Sequence, residues 1–134
     1  MAAVVSEGLA RQYSERFGIG ISEWRILATV GEFRSVTATS IGLHAYMSKV
    51  KVSRAATSLE RRGLIRRVPN RDDLREAFLV LTVDGERLYG EITPLALAYA
   101  QQLTADLTTA ETALLDRLIE TLLRRGRELR DESI

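Results

Sequence analysis

The sequence contains no cysteine, which removes disulfides, thiolate metal sites and thiol redox sensing together. Histidine occurs once, at His44. A zinc or iron site would have to be assembled from carboxylates and a single imidazole, and a Ser-His or Cys-His nucleophile pair is equally ill supplied. No metal, no cofactor and no enzyme activity are therefore expected. No apolar run approaches the ~20 residues that a membrane-spanning helix needs. The opening stretch MAAVVSEGLARQYSERF has the spacing of an amphipathic helix and lacks the basic start and long apolar core of a signal peptide. A cytoplasmic protein with no membrane partner is the expectation. Proline is scarce too, with Pro69 and Pro94 alone, and no linker or internal repeat interrupts what reads as one domain over residues 1–134.

A large net charge is also missing, since the chain sums to only +1. Its distribution is uneven. From Lys49 to Arg75 there are nine basic residues against three acidic ones, so this segment carries +6 and the remainder −5. Asymmetry of this kind within a small domain is an electrostatic footprint of nucleic-acid binding.

Hydrophobic spacing and capping residues give the element order. Val5, Leu9 and Tyr13 recur at i, i+4, i+8 in a first helix ending near Phe17-Gly18. Ser22 is the expected N-cap of a second helix carrying Trp24, Leu27, Ala28 and Val30. Thr37 caps a short third helix and Ser48 a fourth, KVKVSRAATSLERR, closed by Gly63. LIRRVP and EAFLVLT are the only strands that stand out, joined by the charged stretch NRDDLR into a hairpin with Pro69 at a strand end. Thr82 caps a long fifth helix, which Pro94 should kink. Thr108 to Glu111 form a capping box before a last helix with Leu114, Leu115, Leu118, Ile119, Leu122 and Leu123. The fold class that follows is mainly α. It is a winged helix-turn-helix over residues 20–82 with a two-stranded β-hairpin wing, flanked by apolar helices at 1–18 and 83–134.

On the fourth helix, Val52, Ala55, Ala56, Leu59 and Gly63 share one side at 100° per residue. Val50, Arg54, Thr57, Ser58 and Arg61 gather on the other, flanked by Lys49, Lys51 and Ser53. Short polar groups, a methyl-bearing residue and arginines suit a major groove: Arg meets guanine or phosphate, Val50 a thymine methyl, Ser53 a base edge or the backbone. A solvated helix face explains the same pattern about equally well until the hairpin beside it is considered.

MSKVKVSRAATSLERRGLIRR followed by DDLREAFLVLTVDG, together with ISEWRILATV upstream, resembles the MarR family of bacterial transcription regulators. The resemblance covers almost the whole chain. It implies a homodimer built from the first and last helices, with two recognition helices on successive major grooves of pseudo-palindromic double-stranded DNA, commonly as a repressor. It implies a wing in which Asp73 braces the loop and Arg75, with Arg71, contacts the minor groove. It also implies release by a small aromatic ligand, for which Tyr13 and Trp24 are the candidate pocket residues. Leu74 departs from the pattern, which often has a second arginine there. The alternative function is a winged-helix module whose basic face meets an acidic protein, with no specific operator.

Overall fold

Short polar side chains decide where several of the helices begin. In this computed structural model, which describes the backbone of residues 2–132 and the side chains of residues 10–131, α1 spans Ala2–Phe17 and α2 Ile21–Phe33. The strand β1 (Val36–Thr37) and the helices α3 (Ala38–Ala45) and α4 (Lys49–Arg61) follow. Then come β2 (Ile65–Val68), β3 (Phe78–Leu81), α5 (Val83–Leu103) and α6 (Thr109–Glu132). Thr37 Oγ1 accepts the Ser40 N–H at 3.2 Å, Ser48 Oγ that of Lys51 at 3.2 Å, and Thr82 Oγ1 that of Gly85 at 3.0 Å. Each cap satisfies an otherwise unpaired amide of a first helical turn, worth about 1 kcal/mol. The Thr108–Glu111 box closes in both directions, at 2.9 and 3.1 Å.

The second helix corrects one expectation. Its N-cap is Gly20, not Ser22, and Glu23 reaches back to accept the Gly20 N–H at 3.1 Å. Helix α4 ends as expected. Gly63 adopts φ +73° and donates to the Glu60 carbonyl, while the Leu64 N–H returns to Leu59, both at 3.0 Å. That reciprocal pair turns the chain directly into β2.

The sheet has three strands where the sequence offered two. Val36 and Thr37 pair antiparallel with Leu79 and Phe78, giving the order β1-β3-β2. A two-residue strand carries no readable alternation, so nothing in the local pattern marks it. Arg66 and Arg67 face Val80 and Leu79 in the β2–β3 ladder, and Pro69 falls just beyond its end. Ile26, Leu27 and Val30 of α2, Ile41 of α3, Val52, Ala56 and Leu59 of α4, and Leu79 of β3 are buried together. Fully burying each of the larger side chains is worth about 1.5–3 kcal/mol. The expected apolar face of α4 is therefore the face it buries.

The chain divides into two compact units, Met1–Ala96 and Leu97–Ile134. Helix α5 continues through Pro94, so proline does not end it; the Thr93 hydroxyl donates to the Tyr89 carbonyl at 2.7 Å one turn back. In the second unit, α6 carries Leu114, Leu115, Leu118, Ile119, Leu122 and Leu123, all exposed. Val5 and Leu9 of the expected apolar face of α1 lie outside the described side chains. No helix among the described residues is long and apolar enough to cross a membrane.

Candidate nucleic-acid interface

Helix α4 buries Val52, Ala55, Ala56 and Leu59 and leaves Lys49, Val50, Lys51, Ser53 and Arg54 exposed, with Thr57 half-buried further along. Val50 is 58% exposed, an apolar side chain held in water at the start of the helix. Lys49 and Lys51 occupy the first turn, which contains no acidic residue. That is the positive end of the helix dipole, where each cation is unfavourable by about 0.3–1 kcal/mol. Folding does not explain two lysines there.

The nine basic residues of the Lys49–Arg75 segment divide into two groups. Arg62 lies 3.7 Å from Glu23, Arg67 3.3 Å from Glu60, and Arg75 3.1 Å from Asp73. Lys49, Lys51, Arg54, Arg61, Arg66 and Arg71 have no ion pair or side-chain hydrogen bond among the described residues. The unpaired group includes every cation on the N-terminal half of α4. Lys51 and Arg54 also line an open groove against Gly20 and Glu23 at the start of α2.

The loop between β2 and β3 is organised by its own polar groups. Asn70 Oδ1 accepts the N–H groups of Asp72 and Asp73 at 3.0 and 3.2 Å. A turn then closes from the Glu76 N–H to the Asp73 carbonyl at 3.2 Å. Asp73 receives three bonds from Arg75, the backbone N–H at 3.0 Å and the guanidinium at 3.1 and 3.4 Å. Those bonds, the side-chain ones first, hold its carboxyl below the usual carboxylate range. Within the loop, then, Asp73 grips Arg75. Glu76 ties the loop to α3 by a hydrogen bond from the Thr39 hydroxyl.

Asn70, Glu76 and a hub around Glu23 escaped the sequence reading. Glu23 accepts the Gly20 N–H and, at 2.8 Å, the Ser58 hydroxyl, and it faces Arg62. Arg62 in turn donates to the carbonyls of Gly18 and Phe17 at 2.9 and 3.0 Å, at the C-terminal end of α1. Ser58 is thus turned toward α2 and not toward the exposed face where its spacing put it. The signal for the hub was present as Gly20-x-x-Glu23, half of a capping box without a side-chain cap.

Tyr13 is 3% exposed and Trp24 half-buried, with ring centroids 6.0 Å apart. Tyr89 also stacks on Trp24, with centroids 6.3 Å apart, a partner not expected from the sequence. A Cβ on Gly31 would lie 2.5 Å from the Tyr89 ring, so a glycine is what lets that ring approach α2. Burial pushes the Tyr13 phenol above the usual tyrosine range, and Arg25 partly offsets it. His44 faces Glu32 at 3.9 Å and meets Phe33 edge-on at 4.9 Å.

Comparison with known proteins agrees with this arrangement. The MarR family model matches residues 17–76. The chain is 25% identical to the homoprotocatechuate degradative operon repressor of Escherichia coli over 123 residues, 91% of this chain and 82% of the relative. A MarR/EmrR family transcriptional regulator from Acinetobacter sp. ADP1 superposes with a TM-score of 0.87 at 26% identity, covering 95% of this chain and 89% of the other. A MarR variant from Escherichia coli, solved in complex with operator DNA, shares the fold with a TM-score of 0.78 at 22% identity over 91% and 90% of the two chains. Residues 17–76 thus match the MarR family of transcriptional regulators, and nearly the whole chain shares the fold of a MarR/EmrR-family regulator.

Proposed function

We propose that the chain is a sequence-specific repressor that binds a pseudo-palindromic operator as a homodimer in the cytoplasm. The observation that carries this reading is the unpaired set Lys49, Lys51 and Arg54 on the exposed face of α4. In this reading residues 20–82 are the DNA-binding part. Lys49, Val50, Lys51, Ser53, Arg54 and Thr57 meet the major groove. The loop with Arg71, Asp73 and Arg75 meets the minor groove, Asp73 acting from behind as the brace. The operator complex of the structural neighbour and the repressor role of the relative support it.

Residues 1–18 and 83–134 would form the dimer. The exposed leucine stripe of α6 supports this, since apolar faces of that extent are normally covered. Leu118→Glu with Leu122→Glu is expected to convert the dimer to a monomer at micromolar concentration, measured by sedimentation velocity. An unchanged sedimentation coefficient would place the interface elsewhere. A small aromatic ligand near Tyr13 and Trp24 would release DNA by favouring a dimer with the wrong helix spacing. The aromatic degradative operon named for the relative supports that class of ligand.

The test is selection of duplexes from a random-core library by the purified protein, followed by footprinting. The expected product is a pseudo-palindrome with half-sites about one helical turn, ~34 Å, apart. Affinity should fall steeply between 50 and 200 mM salt, roughly as the 0.9 power per phosphate contact. A protein that enriches no duplex and shows no salt-dependent binding would instead fit the acidic-protein partner.

A further inference from the structure

Leu74 is 86% exposed, the highest value among the exposed large apolar side chains of the described residues. A single exposed leucine means little by itself. This one is presented by a loop that is fixed on both sides. It is a central residue of the turn closed between Asp73 and Glu76, whose base is held by Asn70 and whose far end is tied to Thr39. The side chain is therefore displayed at a defined place and not simply left in water by a loose loop.

The charges around it point the same way. From Arg71 to Glu76 the tip holds two arginines and three acids, so it carries a net −1. Asp73 is committed to Arg75, and Glu76 accepts from Thr39. Arg71 and Asp72 remain, with opposite signs. Charge alone does not draw such a tip into a groove walled by phosphates.

We propose that Leu74 is the wing's apolar contact with the minor groove, packing against the sugar walls where a purely cationic tip would rely on arginine. Proteins that enter this groove use leucine and similar side chains as wedges at base steps. Arg71 and Arg75 flank the leucine and give direction to the contact, while Leu74 contributes area removed from water. The inference rests on the DNA-binding reading above. It adds an affinity contact where the resembled family commonly has an arginine.

The test uses the full chain and the duplex that the wild-type protein selects. Leu74→Ala is expected to weaken binding about tenfold, the effect of losing most of one leucine's contact area. The slope of log affinity against log salt should stay unchanged, because an apolar contact releases no counterions. Leu74→Asn, similar in size but polar, should lose as much, and Leu74→Met should stay within about twofold of wild type. Melting temperatures of all three should match wild type, since the side chain is exposed. Binding by the Ala or Asn variant within twofold of wild type would overturn the proposal. So would a loss accompanied by a shallower salt slope, which would mean that an arginine had been displaced. If the wild-type protein selects no duplex, the DNA-binding reading falls and this inference with it; if it does, Leu74 stands or falls alone.

Discussion

Replacing Lys49, Lys51 and Arg54 together with alanine is expected to lower affinity for the selected duplex roughly 500-fold per bound chain at 0.1 M monovalent salt. The figure follows from counterion release: each phosphate contact contributes a slope of about 0.9, close to eightfold at that salt concentration, and three are removed. The slope itself should fall by roughly 2.7 per chain. The same variant should fold at least as well as wild type. Two of the three cations oppose the α4 dipole, and alanine is the better helix former at all three positions. Stability and affinity thus move in opposite directions, which no general unfolding can imitate. Arg67→Ala is the internal control. Its guanidinium is engaged by Glu60, so affinity should change less than about threefold. Fluorescence anisotropy across a salt series, with thermal denaturation of each variant, reads both effects. Wild-type affinity in the triple variant would remove α4 as the reading helix.

The second large effect lies far from charge. A Cβ on Gly85 would sit 1.9 Å from the Leu64 carbonyl oxygen and 3.0 Å from its carbon. Both are backbone atoms and neither has a rotamer to yield. In an ordinary helix Gly→Ala gains about 1 kcal/mol; here the collision decides the sign. Gly85→Ala is expected to destabilise by about 3 kcal/mol or more, a large share of the ~5–15 kcal/mol typical of a whole domain. Gly90→Ala, in the same helix with open space around the new carbon, should stabilise by about 0.5–1 kcal/mol. Urea denaturation of the two variants makes the comparison. Equal stability of the two would show that the start of α5 does not need its close approach to Leu64.

Much of this was legible in the sequence because it depends on short range. Thr37, Ser48, Thr82 and Thr108 each bond an amide three residues on, so composition and spacing suffice to find them. The buried side of α4 follows from periodicity alone. What stayed hidden joins distant positions. Arg62 and Glu23 are far apart in sequence, and no local pattern tells that Arg62 is engaged while Arg61 has no ion pair among the described residues. β1 exists because β3 offers it an edge. Ser58 faces Glu23 because α2 packs there, and a helical wheel drawn on α4 in isolation puts it on the wrong side. At the wing, Asp73 and Arg75 are two residues apart, and that pairing was foreseeable; the grip of Glu76 on Thr39 was not.

Thr82 belongs to two parts of the molecule at once. Its hydroxyl takes the Gly85 N–H at the head of α5 and donates to Gly63 at the root of the hairpin, 2.6 Å away, while its own N–H binds Leu64. No spare residue separates the last strand from the helix, so the joint has no slack. If α5 turns at its head, the root of the hairpin is pulled with it, while the β1 pairing and the Glu76–Thr39 bond hold its blade to the neighbouring helices. One hydroxyl thus serves as both the lock of a helix and the hinge pin of the wing, the loop proposed above to meet DNA.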